Sequence, residues 1–218
     1  NTFKKYCPKK RNLNDINQIK ALVIVLVHNR IMPIAAWLRA WNNANHYNTK
    51  IAVVHNYDGT CPFPHETQNI MQFKPDYYVP RQNNAIDKNG VLLATGMSDA
   101  AIKDMIDNRF ISDFDWDAIL IFTDDLIPMN KDFLRPLLED LLDPKVGMVG
   151  GMSFEDNTGS QKARYRTLGY AIRRKEAEKI KWPVARKDWF NVISLMESDS
   201  YWAFFSQIEA MGAVVKPT

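Results

Sequence analysis

The chain has 218 residues, room for one domain or for a domain with a small appendage, and its 46% hydrophobic content is ample for a core. A net charge of +3 provides no general attraction to nucleic acid, and no apolar run approaches the ~20 residues needed to span a bilayer. Two cysteines, Cys7 and Cys61, are too few for a disulfide framework, which leaves reduced thiols in a cytoplasmic setting as the default and one bridge between them as the alternative.

Taken in chain order, Lys4, Lys5, Lys9, Lys10 and Arg11 form a basic arm over residues 1–20. Ala21 to Val27, a continuous apolar run, reads as the first buried strand. Met32 to Asn45 follows as a helix, with Ile34, Leu38 and Trp41 at helical spacing and Pro33 tolerated in the first turn. Lys50 to Val54 is a second strand that runs into a polar turn, His55-Asn56-Tyr57-Asp58-Gly59. Tyr77 to Val79 is a short third strand, Pro80 to Gly90 a polar loop, and Val91 to Asn108 a long helix.

Ile119 to Phe122 reads as a strand buried on both faces. A helix near Lys131 to Leu142, a strand over Val146 to Val149, a short strand over Gly169 to Ile172 and a helix over Lys175 to Lys181 come next. The last helix covers Ser200 to Met211, with Gly212 as its C-terminal cap. This alternation predicts an α/β fold with a mostly parallel sheet flanked by helices on both faces. One domain over 1–218 is expected, with a nucleotide-binding half over about 21–150 and a more variable half over about 151–218. A start at Asn1 and an end just past the strand-like Val214-Val215 make a piece of a longer multidomain protein the expectation.

The fourth strand ends in Thr123-Asp124-Asp125, so two carboxylates sit at the carboxyl end of a core strand, where open α/β sheets bind ligands. Adjacent carboxylates repel and resist desolvation unless a cation offsets them, and a divalent metal is the simplest candidate. The plainer alternative is that Asp124 starts a turn and Asp125 caps the helix after Pro128. The chain has neither GxGxxG nor GxxxxGK[ST]; His28-Asn29-Arg30-Ile31 follows the first strand instead. A diphosphate bound here would therefore rely on a metal at the acidic pair rather than on a glycine-rich backbone.

In this combination the chain resembles the metal-dependent glycosyltransferases of the GT-A fold, a Rossmann-like mixed sheet, over roughly Leu22 to Gly212. The resemblance is carried by Val25-Leu26-Val27-His28-Asn29-Arg30, by Tyr57-Asp58-Gly59, by Thr123-Asp124-Asp125-Leu126 with Lys131-Asp132-Phe133-Leu134, and by Glu197-Ser198-Asp199. The acidic segment is similar to the DxD-type signature, closest to the version in N-acetylglucosaminyltransferases, with Thr123 where Glu is usual.

The resemblance implies transfer of a sugar from a UDP-sugar to an acceptor hydroxyl on a glycan or similar molecule, leaning toward inversion. It implies that His28, Asn29 and Arg30 receive the base and that Asp58 holds uracil or ribose. Asp125 would bind Mn²⁺ or Mg²⁺, and Asp124 would contact the ribose or a water of the metal's shell, beside Thr123. Asp199, or otherwise Glu197, would take the acceptor proton, the alternative for this pair being to cap the helix from Ser200 onward.

Arg81 could reach a phosphate or the sugar, or could be a surface arginine. Arg164, Arg166, Arg173, Arg174 and Lys175 could face an anionic acceptor or form a solvated face, and the resemblance sets Gly169-Tyr170-Ala171 with Arg173-Arg174 on the acceptor side. Trp182, Trp189, Tyr201 and Trp202 are either core or a sugar-stacking platform. His55 and His65 read as structural or exposed rather than as ligands.

Two rivals stand beside this reading. One is a sugar nucleotidyltransferase, which would normally carry a glycine-rich loop with a basic residue after the first strand. The other is a catalytically inactive sugar-nucleotide-binding or interaction domain of a larger protein.

Overall fold

The structure, a computed structural model, describes residues 14–28, 31–57, 72–82, 103–107, 111, 113–124, 126–150, 169–180 and 207–217. After a 3-10 turn at Ile16–Gln18 come β1 (Ala21–His28), α1 (Ile31–Asn42), β2 (Thr49–Tyr57), β3 (Tyr77–Gln82) and β4 (Ala118–Thr123). Then follow α2 (Arg135–Asp140), β5 (Val146–Gly150), β6 (Tyr170–Arg173), α3 (Arg174–Ala177) and β7 (Val214–Pro217). Residues 103–106 and 207–210 are also helical.

The strands form one seven-stranded sheet in the order β3-β2-β1-β4-β6-β5-β7. β3, β2, β1 and β4 run parallel, β6 is antiparallel to β4 and β5, and β7 is parallel to β5. From β1 the chain winds one way to β2 and β3, then crosses back to place β4 on the other side of β1. That reversal makes the carboxyl ends of β1 and β4 a topological switch point, the crevice where open α/β sheets take ligands.

Continuous apolar runs form these strands because both sheet faces are covered. On one face Val23, Val25, Val53, Leu120 and Phe122 pack against Ile34, Trp37, Leu38 and Trp41 of α1 and Leu137 and Leu138 of α2. On the other face Leu22, Ile24, Leu26, Ile119 and Ile121 meet Met105, Ile106, Ala177 and Ile208. The helical spacing of Ile34, Leu38 and Trp41 thus buries one stripe of α1, and Trp37 widens it.

Several boundaries differ from the sequence reading. β2 continues through His55, Asn56 and Tyr57, which are strand and not turn. Polar residues end this strand without ending its ladder, because β1 and β3 pair with it on both sides. β3 likewise runs on through Pro80 to Gln82; it is an edge strand, where a proline need not donate to a ladder. The helix expected over Lys131 to Leu142 is a regular helix only from Arg135, with Pro136 in its first turn, and Leu134 at its N-cap makes no side-chain cap bond. The N-cap position of this helix thus falls to Leu134, and Asp125 lies outside the described residues.

Gly212 does close the helical segment before it: its φ is +76°, and its N–H donates to Glu209 O at 2.8 Å. No described helix is long and apolar enough to cross a membrane.

Candidate functional site

The parallel register sets several of the predicted residues along one edge. Thr123 is the last residue of β4 and lies opposite Leu26 of β1. Two residues further along β1, His28 stands opposite Asn56 of β2, and Asn56 stands opposite Arg81 of β3. Beyond Thr123 the chain turns at once: Leu126 N–H donates to Thr123 O at 3.3 Å, and Asp124 occupies the turn. Thr123, Asp124, the backbone of His28 and Arg81 therefore lie along one carboxyl edge, with Thr123 and Asp124 at the switch point and Arg81 on the outermost strand, β3. Asn29, Arg30, Asp58, Asp125, Glu197 and Asp199 lie outside the described residues, as does the side chain of His28. The same is true of Cys7, Cys61, His65, Arg164, Arg166, Trp182, Trp189, Tyr201 and Trp202.

The acidic turn rests on an aromatic support. Trp37 of α1 donates its indole N–H to Thr123 O at 3.2 Å. Its ring packs on Phe122 at 5.2 Å and on Phe133 at 5.9 Å, and those two phenylalanines lie 5.6 Å apart. Gly169, with φ of +127°, passes so close that a Cβ there would lie 2.4 Å from Phe122 Cε1. The backbone that ends β4 is thus fixed from the side by α1 and from the neighbouring segment by Gly169.

Arg81 forms an ion pair with Asp104, Nη2 to Oδ2 at 3.0 Å, and both side chains are largely shielded, 24% and 13% exposed. Its Nη1 is buried and has no hydrogen-bond partner. Arg81 is therefore not a plain surface arginine. Asp104 had no signal in the sequence, since it sits in a mixed polar stretch without a motif. Buried Asn56, in the row between His28 and Arg81, escaped notice for the same reason.

His55 is fully buried, with Nδ1 2.6 Å from Tyr78 Oη and its ring beside Tyr57, a structural histidine as expected. Asp132, part of the acidic signature, accepts hydrogen bonds from Asn45 Nδ2 and from Tyr47 Oη, the latter at 3.0 Å. It ties two loops together.

Arg173 and Arg174 stand elsewhere. Because β6 is antiparallel to β4, Tyr170 pairs with Ile121 near the ligand edge while Arg173 pairs with Ala118 at the opposite end. Arg173 donates to the backbone carbonyls of Val146 at 2.6 Å, Asp143 at 2.8 Å and Leu141. Burial pulls its pKa below the usual arginine value, against the opposing fields of Glu176, Asp143 and Asp117. Arg174 lies over the Trp116 ring, 4.8 Å from its centroid, and bonds Asp115 at 2.6 Å and Glu178 at 2.7 Å. Both guanidiniums hold the amino edge together and are remote from the acidic turn.

The donor chemistry at the turn fits a hard divalent cation. The carboxylate and hydroxyl oxygens that Asp124 and Thr123 carry are of the kind Mg²⁺ or Mn²⁺ prefers, and neither residue brings a soft ligand. Among the described residues no group of three or more His, Cys, Asp or Glu could hold a metal by itself. The fit therefore depends on Asp125 joining Asp124.

No protein-family model and no curated protein matches the chain. Solved structures do match in fold. One, described as a nucleotide-diphospho-sugar transferase from Desulfovibrio desulfuricans G20, is 10% identical with a TM-score of 0.53, over 91% of this chain and 79% of that one. Another is the mannosyltransferase PcManGT from Pyrobaculum calidifontis in complex with GDP-Man and Mn²⁺, 14% identical with a TM-score of 0.56. There the match covers 91% of this chain but only 54% of the mannosyltransferase. The third is the 4-diphosphocytidyl-2C-methyl-D-erythritol synthase of Anaerococcus prevotii DSM 20548, 11% identical with a TM-score of 0.54, over 93% of this chain and 88% of that one.

The chain shares its mixed α/β fold with these three proteins. At these identities the likeness is one of architecture.

Proposed function

We propose that this chain is a glycosyltransferase that moves a sugar from a nucleotide-sugar donor, by preference a UDP-sugar, to an acceptor hydroxyl, with a divalent metal and with inversion at the anomeric carbon. The supporting observation is the acidic turn at the carboxyl end of β4, directly beside β1 at the switch point of this fold. A first strand that ends without a glycine-rich loop adds to it, since the diphosphate then needs charge from elsewhere.

Asp125 would hold Mn²⁺ or Mg²⁺ with Asp124 and Thr123 beside it, and the cation when bound would neutralise charge developing on the departing nucleotide. Asp58 and the His28-Asn29-Arg30 segment would take the base and ribose. Arg81 would supply positive charge to the diphosphate from the next strands over. Asp199, or else Glu197, would accept the proton of the attacking hydroxyl. The acceptor is a glycan or another hydroxyl compound, and the half over about 151–218 would shape its site.

A second reading, a nucleotidyltransferase, draws on the cytidylyl-type synthase sharing the fold. His28-Asn29-Arg30 stands against it, because that chemistry calls for a glycine-rich basic loop after β1.

The deciding experiment incubates the chain with a panel of UDP- and GDP-sugars and, separately, nucleoside triphosphates with sugar phosphates, with Mn²⁺ or with EDTA. Metal-dependent release of nucleoside diphosphate supports glycosyl transfer. Release of pyrophosphate supports the second reading. Nucleotide-sugar binding without turnover in any arm leaves an inactive binding domain.

A further inference from the structure

We propose that Asp104 is a positioning residue for donor binding: it grips one prong of the Arg81 guanidinium so that the other prong is held ready for a phosphoryl oxygen of the nucleotide. This rests on the nucleotide-sugar reading above and adds to it a residue from the far side of the sheet edge.

A structural arginine–carboxylate pair gains most when it closes fork on fork, with two parallel N–H bonds. Here the ion pair engages Nη2 and leaves Nη1 over. Nη2 lies 3.0 Å from Asp104 Oδ2, while Nη1 is buried without any acceptor. Leaving a buried cationic N–H unsatisfied is costly, so such a group points to an acceptor that the polypeptide does not itself provide.

The place of Arg81 says what that acceptor is. It stands in the same row as Asn56 and His28, at the carboxyl edge where the fold takes its ligand. A planar donor fork at that edge suits the tetrahedral, anionic oxygens of a diphosphate. Asp104 is held in place by its neighbours, since the adjacent Met105 and Ile106 are buried in the core on that face of the sheet.

The test measures affinity of the whole chain for UDP and GDP, each with Mn²⁺, and for uridine and guanosine, using isothermal titration calorimetry. Arg81→Ala is expected to weaken the diphosphates on the order of 10- to 100-fold, the worth of a charge-assisted bond, and to leave the nucleosides within about twofold. Asp104→Asn, which preserves shape, is expected to weaken the diphosphates about 5-fold or more, and to do nothing further in an Arg81→Ala background. Asp104→Glu restores part of the loss. A thermal melt of each variant identifies any that fail to fold, and Arg81→Lys then serves as the milder substitute.

The proposal is overturned if Asp104→Asn lowers the melting temperature without changing diphosphate affinity, or changes nucleoside and diphosphate affinity alike. If the wild-type chain binds neither diphosphate, the nucleotide-sugar reading itself fails and takes this one with it.

Discussion

The indole N–H of Trp37 donates to the backbone carbonyl of Thr123 across 3.2 Å, so a helix on one face of the sheet holds the last residue of the strand that presents the acidic turn. The contact is polar but sits within a packed aromatic cluster of Trp37, Phe122 and Phe133. It couples the core to the proposed metal-binding turn.

Trp37→Phe keeps most of the packing and loses the hydrogen bond. It should cost about 1 kcal/mol, read as a Tm lower by roughly 2–4 °C for a chain of this size. Trp37→Ala also opens a cavity and should cost about 3–5 kcal/mol. Urea denaturation of the two variants checks the split.

Gly169→Ala puts a methyl group into the Phe122 ring from a backbone with φ of +127°. A loss of roughly 1–3 kcal/mol is expected from strain and overpacking. Part of it should reappear as weaker Mn²⁺ dependence, because Phe122 supports the residue before the turn. Paired Gly169→Ala and Phe122→Leu substitutions, which relieve the overlap, should recover stability in the same unfolding assay.

Asp125→Asn should abolish the metal-dependent part of nucleoside diphosphate release, a fall of about 10²-fold or more. Asp124→Asn should act more weakly, through ribose or metal-shell contacts. Unchanged Mn²⁺ stimulation in the Asp125 variant would mean that the turn is structural only.

Asp199→Asn and Glu197→Gln separate the two candidate bases. The true base should lose about 10²–10⁴-fold in transfer to the acceptor, with donor affinity nearly unchanged. Equal, small effects from both would return the pair to helix capping.

Asp132 makes a pH prediction. Hydrogen bonds from Asn45 and Tyr47 hold its carboxyl below the usual value in the folded chain. A depressed folded-state pKa adds stability above the unfolded value, about 4, and that stability disappears as pH falls through the lower folded value. Wild type should therefore exceed Asp132→Asn in stability at neutral pH, and the gap should close on acidification. Melts at a series of pH values measure it.

Local pattern in the sequence determined the core strands, the buried face of α1 and the cap at Gly212. Continuous apolar runs, helical spacing and a glycine after a helix carry their meaning within a few residues. The acidic end of β4 was legible for the same reason, since a polar break directly after a buried apolar run marks where a core strand ends.

Only tertiary structure decided which ends of which strands meet. The row of His28, Asn56 and Arg81 exists through parallel register between strands far apart in the chain, and the link from Arg81 to Asp104 joins segments with no shared pattern. Arg173 and Arg174 read as possible anion binders until the antiparallel pairing of β6 carried them to the opposite edge. Ladder partners and the targets of long side chains depend on contacts between distant residues, and no local periodicity records them.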